Sequence, residues 1–194
     1  MAKQVKIDGY QFDFEENVLD AYIFDDNEYN GVRNQMKSVD VIAEFPNEYL
    51  FIELKKYSDG GIEFRCPLWD DKKLLTDNCP LSTDNKRRVP ATIKKITHDL
   101  RNKYFDTFVY LFAEDKLNKP VNYICVVEGC DSALTLRLND ILLQQIPKGI
   151  PTKTKWKSPI VKNIAVVNVD GWNKKFNRYG QCSLNKEPSE NLRR

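Results

Sequence analysis

With 194 residues, 41% of them hydrophobic and 30% charged, the chain has the makeup of one folded domain with its own core, which excludes a fibrous or disordered polypeptide. A net charge of +2 excludes a protein that holds nucleic acid by overall basicity, so any such surface must be local. Five scattered cysteines, one histidine (His98) and no CxxC pair argue against a zinc centre and for reduced thiols in a cytoplasmic protein.

Along the chain, Lys3 and Lys6 are followed by Asp8, Asp13, Glu15 and Glu16 rather than an apolar run, so no export signal is expected. No apolar stretch approaches the roughly 20 residues that cross a bilayer. Val5 to Phe14 alternates loosely between apolar and polar residues. Glu15 to Phe24 then sets Val18, Leu19, Tyr22 and Ile23 at the spacing of a short helix, and Asp25 to Asn34 reads as an acidic loop.

Two strands follow, Ser38 to Phe45 and Tyr49 to Lys56, separated by Pro46, Asn47 and Glu48 as a hairpin. Tyr57 to Pro90 loses periodicity and reads as a long excursion, the kind of segment that often serves as a functional loop. Thr92 to Phe112 is an amphipathic helix, with Ile93, Ile96, Leu100, Tyr104, Phe108 and Leu111 on its apolar stripe. Asn122 to Glu128 is a strand apolar on both faces. Asp131 or Ser132 caps a helix from Ala133 to Gln145, Lys162 to Val169 is a further buried strand, and the polar tail from Pro188 is expected to fray. This order predicts an α/β fold, a mixed central sheet flanked by helices.

Strand alternation places Tyr49, Phe51, Glu53 and Lys55 on one face of the second strand, and Leu50, Ile52 and Leu54 on the other. On the first strand Asp40 shares a face with Ile42 and Glu44. A tight turn at Pro46-Asn47 sets Asp40 level with Glu53. Pro46 suits the primed turns of two-residue hairpins poorly, so an offset of two residues is the alternative, and it keeps both carboxylates on one face. Neighbouring carboxylates among apolar residues repel one another and lose hydration unless a cation or a shared proton compensates them. A hard divalent cation, Mg2+ or Mn2+, meets that need with Asp40, Glu53, the main-chain carbonyl of Leu54, waters and a substrate phosphate. Lys55 is placed to orient or deprotonate an attacking water, or to stabilise developing negative charge. The opposing reading is an exposed hairpin with Glu53 and Lys55 on a solvated face. Tyr49 and Phe51 on the same face count against it.

Acid-x-Lys also occurs at Asp70, Asp71, Asp84 and Glu114, so the triplet alone decides nothing. Only at Glu53 does it lie inside an apolar strand that follows another strand interrupted by an aspartate. Val39-Asp40, twelve residues, then Glu53-Leu54-Lys55, with a helix before and a helix and strand after, resembles the PD-(D/E)xK nuclease superfamily over about Glu15 to Val127. Val39 stands where that pattern nominally has proline. The resemblance implies a restriction-endonuclease-like fold and metal-dependent hydrolysis of nucleic-acid phosphodiesters, with the acidic pair on Mg2+ or Mn2+ and the lysine assisting water attack. It also implies a glutamate from the first helix near the metal, for which Glu16 is the candidate and Glu15 and Asp20 are rivals. The expected partner is nucleic acid, DNA ahead of RNA, and pairing into a homodimer is consistent with duplex cleavage. Lys94, Lys95 and Arg101 are the candidate phosphate contacts, against the plainer reading of a solvated helix face that includes His98. Trp156 and Trp172, set among lysines, are read either as stacking platforms for a strand or as packing residues. The rival function is a catalytically inactive module of the same fold that binds nucleic acid or protein.

Overall fold

The computed structural model describes residues 3–25, 35–56, 91–130, 132–152 and 155–184. Nearly all of the acidic loop that begins at Asp25, the excursion from Tyr57 to Pro90 and the tail from Pro188 lie outside the described residues.

Five strands form a mixed sheet in the order β3 (Asp20–Ile23), β4 (Val41–Glu44), β5 (Tyr49–Lys56), β6 (Val121–Glu128) and β7 (Asn163–Val167). The first three are antiparallel, while β5, β6 and β7 run parallel. The change of direction has a topological cause: α1 (Ala91–Ala113) returns the chain from β5 to β6, and α2 (Ser132–Gln145) from β6 to β7. Both helices cover one face. There Ile93, Leu100, Tyr104, Leu111, Leu138 and Leu142 pack on Phe51, Tyr123 and Cys125. Strands covered on both sides read as near-continuous apolar runs, and residues 121–127 are buried without exception.

The other face carries a second sheet, β1 (Gln4–Ile7), β2 (Tyr10–Phe14) and β8 (Gly180–Leu184), together with α3 (Val169–Lys175). Phe12, Phe14, Trp172 and Tyr179 pack there against Val41, Leu50, Ile52 and Ile124. Asp8 (φ 49°) and Gly9 (φ 77°) make the turn from β1 to β2, the pair of left-handed residues that a two-residue hairpin favours. Gly180 (φ 133°) comes so close to β2 that a Cβ would lie 2.1 Å from the Asp13 carbonyl oxygen. The architecture is therefore α/β with three layers, and among the described residues no helix is long and apolar enough to cross a membrane.

The helix expected from Glu15 to Phe24 is not formed. Residues 15–19 turn and bend, and Asp20–Ile23 pairs along the edge of β4. Tyr22 packs into the helix-side core while Ala21 and Ile23 face the other, the two-residue alternation of a strand. Pairing with β4 overrides the helical spacing of Val18, Leu19, Tyr22 and Ile23. The last expected strand stops at Val167, because Asn168 caps α3 by accepting the Gly171 N–H at 2.8 Å.

Candidate active site

The hairpin has the register that sets Asp40 level with Glu53, since Val41 pairs with Ile52 and Glu44 with Tyr49. Its loop closes through the Phe45 N–H on the Glu48 carbonyl at 2.9 Å. Neither Pro46 nor Asn47 has a positive φ, so the turn is not of the primed kind and Pro46 fits it. β4 ends at Asp40 for a local reason. The Asp40 N–H still reaches the Ile52 carbonyl (3.1 Å), but the Leu54 N–H donates to Asp40 Oδ2 at 2.6 Å. A side-chain oxygen has taken over the role of a strand carbonyl. Of Leu54, it is the N–H that meets Asp40, where the sequence suggested its carbonyl as a metal ligand.

The solvated hairpin face is overturned, since Glu53 is 0% exposed and Asp40 6%. Tyr49 and Phe51, on the same face, belong to the helix-side core. Helix α1 lies over this face and supplies a residue that the sequence reading did not single out, Lys103. Its Nζ lies 3.2 Å from Asp40 Oδ1 and 2.7 Å from Glu53 Oε1. Lys55 Nζ lies 2.9 Å from the same Glu53 oxygen and 3.5 Å from Asp99 Oδ2, and Asp99 is also paired with Lys37. Residues 37–39 are tied to α1 as well: the Lys37 N–H donates to Asp106 Oδ2 (2.9 Å) and the Val39 N–H to Thr107 Oγ1 (3.0 Å). The helix thus holds the approach to Asp40 in place. Asp99 and Lys103 lie one turn apart on the flank beside the apolar stripe. That flanking position next to Tyr104 was the available signal for both.

Glu53 is unevenly partnered. Both ammoniums stand within ion-pair distance of Oε1, and Oε2 has no hydrogen-bond partner among the described residues. Burial first, then the nearby Asp40 charge, pushes its carboxyl up to about 8 against the pull of Lys103 and Lys55. Burial likewise raises Asp40, opposed by Lys103 and the Leu54 N–H. For Lys55, burial opposes the charge, yet Glu53 and Asp99 outweigh it and lift the ammonium to about 12. Lys103 is raised by Glu53 and Asp40 against the same opposition. Both lysines are therefore cationic at neutral pH.

Glu16, Glu15 and Asp20 are not brought here. Glu15 and Glu16 are exposed in the turn after β2, and the adjoining Leu19 N–H donates to the Glu44 carbonyl. Glu44 lies four residues from Asp40 along the strand, about 13 Å away at the usual rise. Asp20 is at that same end, exposed and paired with Lys3. Lys94, Lys95 and His98 are exposed on α1. At 100° per residue, Lys95 shares the flank of Asp99 and Lys103, and Arg101 lies on the opposite flank with its guanidinium 4.9 Å over Phe105. Trp172 is fully buried and donates its indole N–H to the Gly180 carbonyl, while Trp156 is 39% exposed. Of the other acid-x-Lys triplets, Glu114 and Lys116 form an exposed ion pair of 2.5 Å. Those at Asp70, Asp71 and Asp84 lie outside the described residues.

Among the described residues no group of three or more His, Cys, Asp and Glu side chains is arranged to hold a metal ion. Two carboxylates remain, with Asp40 Oδ1 free of main-chain bonds and Glu53 Oε2 free of any. That set suits an ion that keeps most of its waters and takes one or two carboxylates, the habit of Mg2+, and suits poorly an ion that needs a full protein cage. Compared with family models, curated proteins and solved structures, the chain matches none.

Proposed function

We propose that the chain is a metal-dependent nuclease of the PD-(D/E)xK type, with a restriction-endonuclease-like fold, hydrolysing nucleic-acid phosphodiester bonds at Asp40, Glu53 and Lys55. One observation carries the reading: a wholly buried glutamate, level with an aspartate on the neighbouring strand, keeps one oxygen unpartnered among the described residues while a lysine two residues on faces the same corner. A buried carboxylate left short of partners is costly, on the order of several kcal/mol, and such cost persists where it serves a site.

Asp40 Oδ1 and the Glu53 carboxylate are the oxygens that would hold Mg2+ or Mn2+. A divalent ion bound there supplies Lewis-acid polarisation of a phosphoryl oxygen and eases ionisation of a bound water. Lys55, cationic and held by Asp99 and Glu53, acts as a donor that orients the phosphate or the water and neutralises developing charge. The Leu54 N–H fixes the Asp40 carboxylate so that one oxygen faces the site. Lys95, exposed on the same flank of α1, extends positive charge from the site toward a nucleic-acid backbone.

The test is Mg2+- or Mn2+-dependent degradation of single- and double-stranded DNA and RNA by wild type and Lys55→Ala. Metal-dependent cleavage by wild type, reduced at least about 100-fold in the variant, is expected, and equal rates in the two end the proposal. A second reading, a binding module without chemistry, is favoured by Lys103, whose ammonium already spans both carboxylates. Under that reading neither protein cleaves and neither takes up the ion.

A further inference from the structure

We propose that Lys103 is a built-in counter-cation, standing where a divalent ion is to bind, and that loading of the site proceeds by exchange of this ammonium for the ion. The inference rests on the nuclease reading and deepens it, by naming the residue that sets how tightly the ion is held.

Asp40 has two carboxylate oxygens: Oδ2 is committed to the Leu54 N–H at 2.6 Å, and Oδ1 is held by Lys103 Nζ at 3.2 Å. The same Nζ is 2.7 Å from Glu53 Oε1. Lys103 therefore occupies the one point that joins the two strands' carboxylates through an Asp40 oxygen not already bound to main chain. An ion bound to Asp40 Oδ1 at the usual Mg2+–oxygen distance of about 2.1 Å would stand within a few ångströms of that ammonium, and like charges so close in a buried corner repel strongly. Lys103 and the ion exclude one another.

Lys55 does not compete in the same way. It touches Glu53 and Asp99 and makes no ion pair with Asp40, so it can stay beside a loaded ion. Lys103 also has somewhere to go. Asp99 lies four residues before it on α1, the spacing at which a helical acid and a following lysine pair well. Glu53 Oε2, buried and without a hydrogen-bond partner among the described residues, is an oxygen that neither lysine satisfies, so the ammonium is an incomplete substitute. The ammonium thus compensates two buried carboxylates, while Glu53 Oε2 is left without a hydrogen-bond partner among the described residues.

Two measurements test this, neither of them activity. Mn2+ binding is followed by calorimetry on wild type, Lys103→Met and Asp40→Asn, with circular dichroism to establish that each variant is folded. Lys103→Met is expected to bind Mn2+ at least about 10-fold more tightly than wild type, and Asp40→Asn to lose binding. On wild type alone, reductive methylation read by peptide mass spectrometry is expected to modify Lys103 several-fold faster with saturating Mn2+, while Lys55 changes little. This arm keeps the proposal open to refutation if Lys103→Met fails to fold. Binding to wild type with unchanged Lys103 labelling, or affinity unchanged or weaker in Lys103→Met, overturns the exchange and leaves the nuclease reading standing. Mn2+ bound by Lys103→Met and not by wild type supports the exchange. No binding to any of the proteins, or binding that survives Asp40→Asn, overturns both.

Discussion

Glu48 and Glu53 lie five residues apart on one hairpin and are treated oppositely. Glu48 has every oxygen satisfied: Tyr179 donates at 2.8 Å to Oε1, and Asn122 (2.8 Å) and Lys162 (3.1 Å) to Oε2, with Arg178 3.6 Å away. Burial opposes its charge, yet these hydrogen bonds win and hold its carboxyl below the ordinary 4.5. Glu53 is buried more deeply with fewer bonds, and its carboxyl rises instead. The same side chain is a fastener at the turn end of the sheet and a reserve of unspent bonding capacity at the other. Charge burial alone marks neither; the count of donors aimed at each oxygen does.

The comparison breaks most plainly on activity. Under the nuclease reading, Glu53→Gln lowers Mg2+-dependent cleavage by at least about 100-fold, whereas Glu48→Gln leaves it within about 2-fold; equal losses in the two would erase the distinction. Next in size is folding. Glu48→Ala strands buried Asn122 and Tyr179 together with Lys162, and is expected to lower stability in a urea titration by about 2 to 3 kcal/mol, with Mn2+ binding unchanged.

The pH dependence should run in opposite directions. Glu48 is held below its unfolded value, so its contribution is present above about pH 4.5 and is lost as pH falls. Glu53 is raised, so its contribution is present below about pH 4.5 and is lost as pH rises through about 8. Relative to Glu53→Gln, wild type should therefore lose stability between pH 5 and 8, by up to about 1 kcal/mol per pH unit. Relative to Glu48→Gln, it should lose stability only below pH 4.5. Parallel curves for the two variants would refute the assignment. The smallest effect belongs to the outer end of the lysine chain. Lys37 is half exposed, so Lys37→Ala should cost under about 1 kcal/mol and shift further toward zero in high salt.

How much of this is legible in the sequence follows from which contacts are local. The pairing of Asp40 with Glu53 can be read because two strands joined by a short turn fix each other's faces, and a one-residue slip would turn Val41 and Leu50 away from their core. Lys103 is hidden because its partners are 63 and 50 residues away in the chain, and its place on the flank beside the apolar stripe, which Lys95 shares, does not say what it meets. β3 is hidden for the converse reason: Val18, Leu19, Tyr22 and Ile23 carry a helical spacing that only the edge of β4 overrules. The loose alternation of Val5 to Phe14 does not by itself give the hairpin that Asp8 and Gly9 turn, and β2 gains its second neighbour only from β8, at the far end of the described chain.

That last pairing has a consequence for how the molecule is made. The central hairpin and its helices can assemble as they leave the ribosome. Phe12, by contrast, acquires the Trp172 ring against it, and β2 its hydrogen-bonded neighbour β8, only when residues 172–184 are synthesised. Until then an aromatic-rich ribbon waits with an open edge, so residues 180–184 govern whether β2 stays out of aggregates.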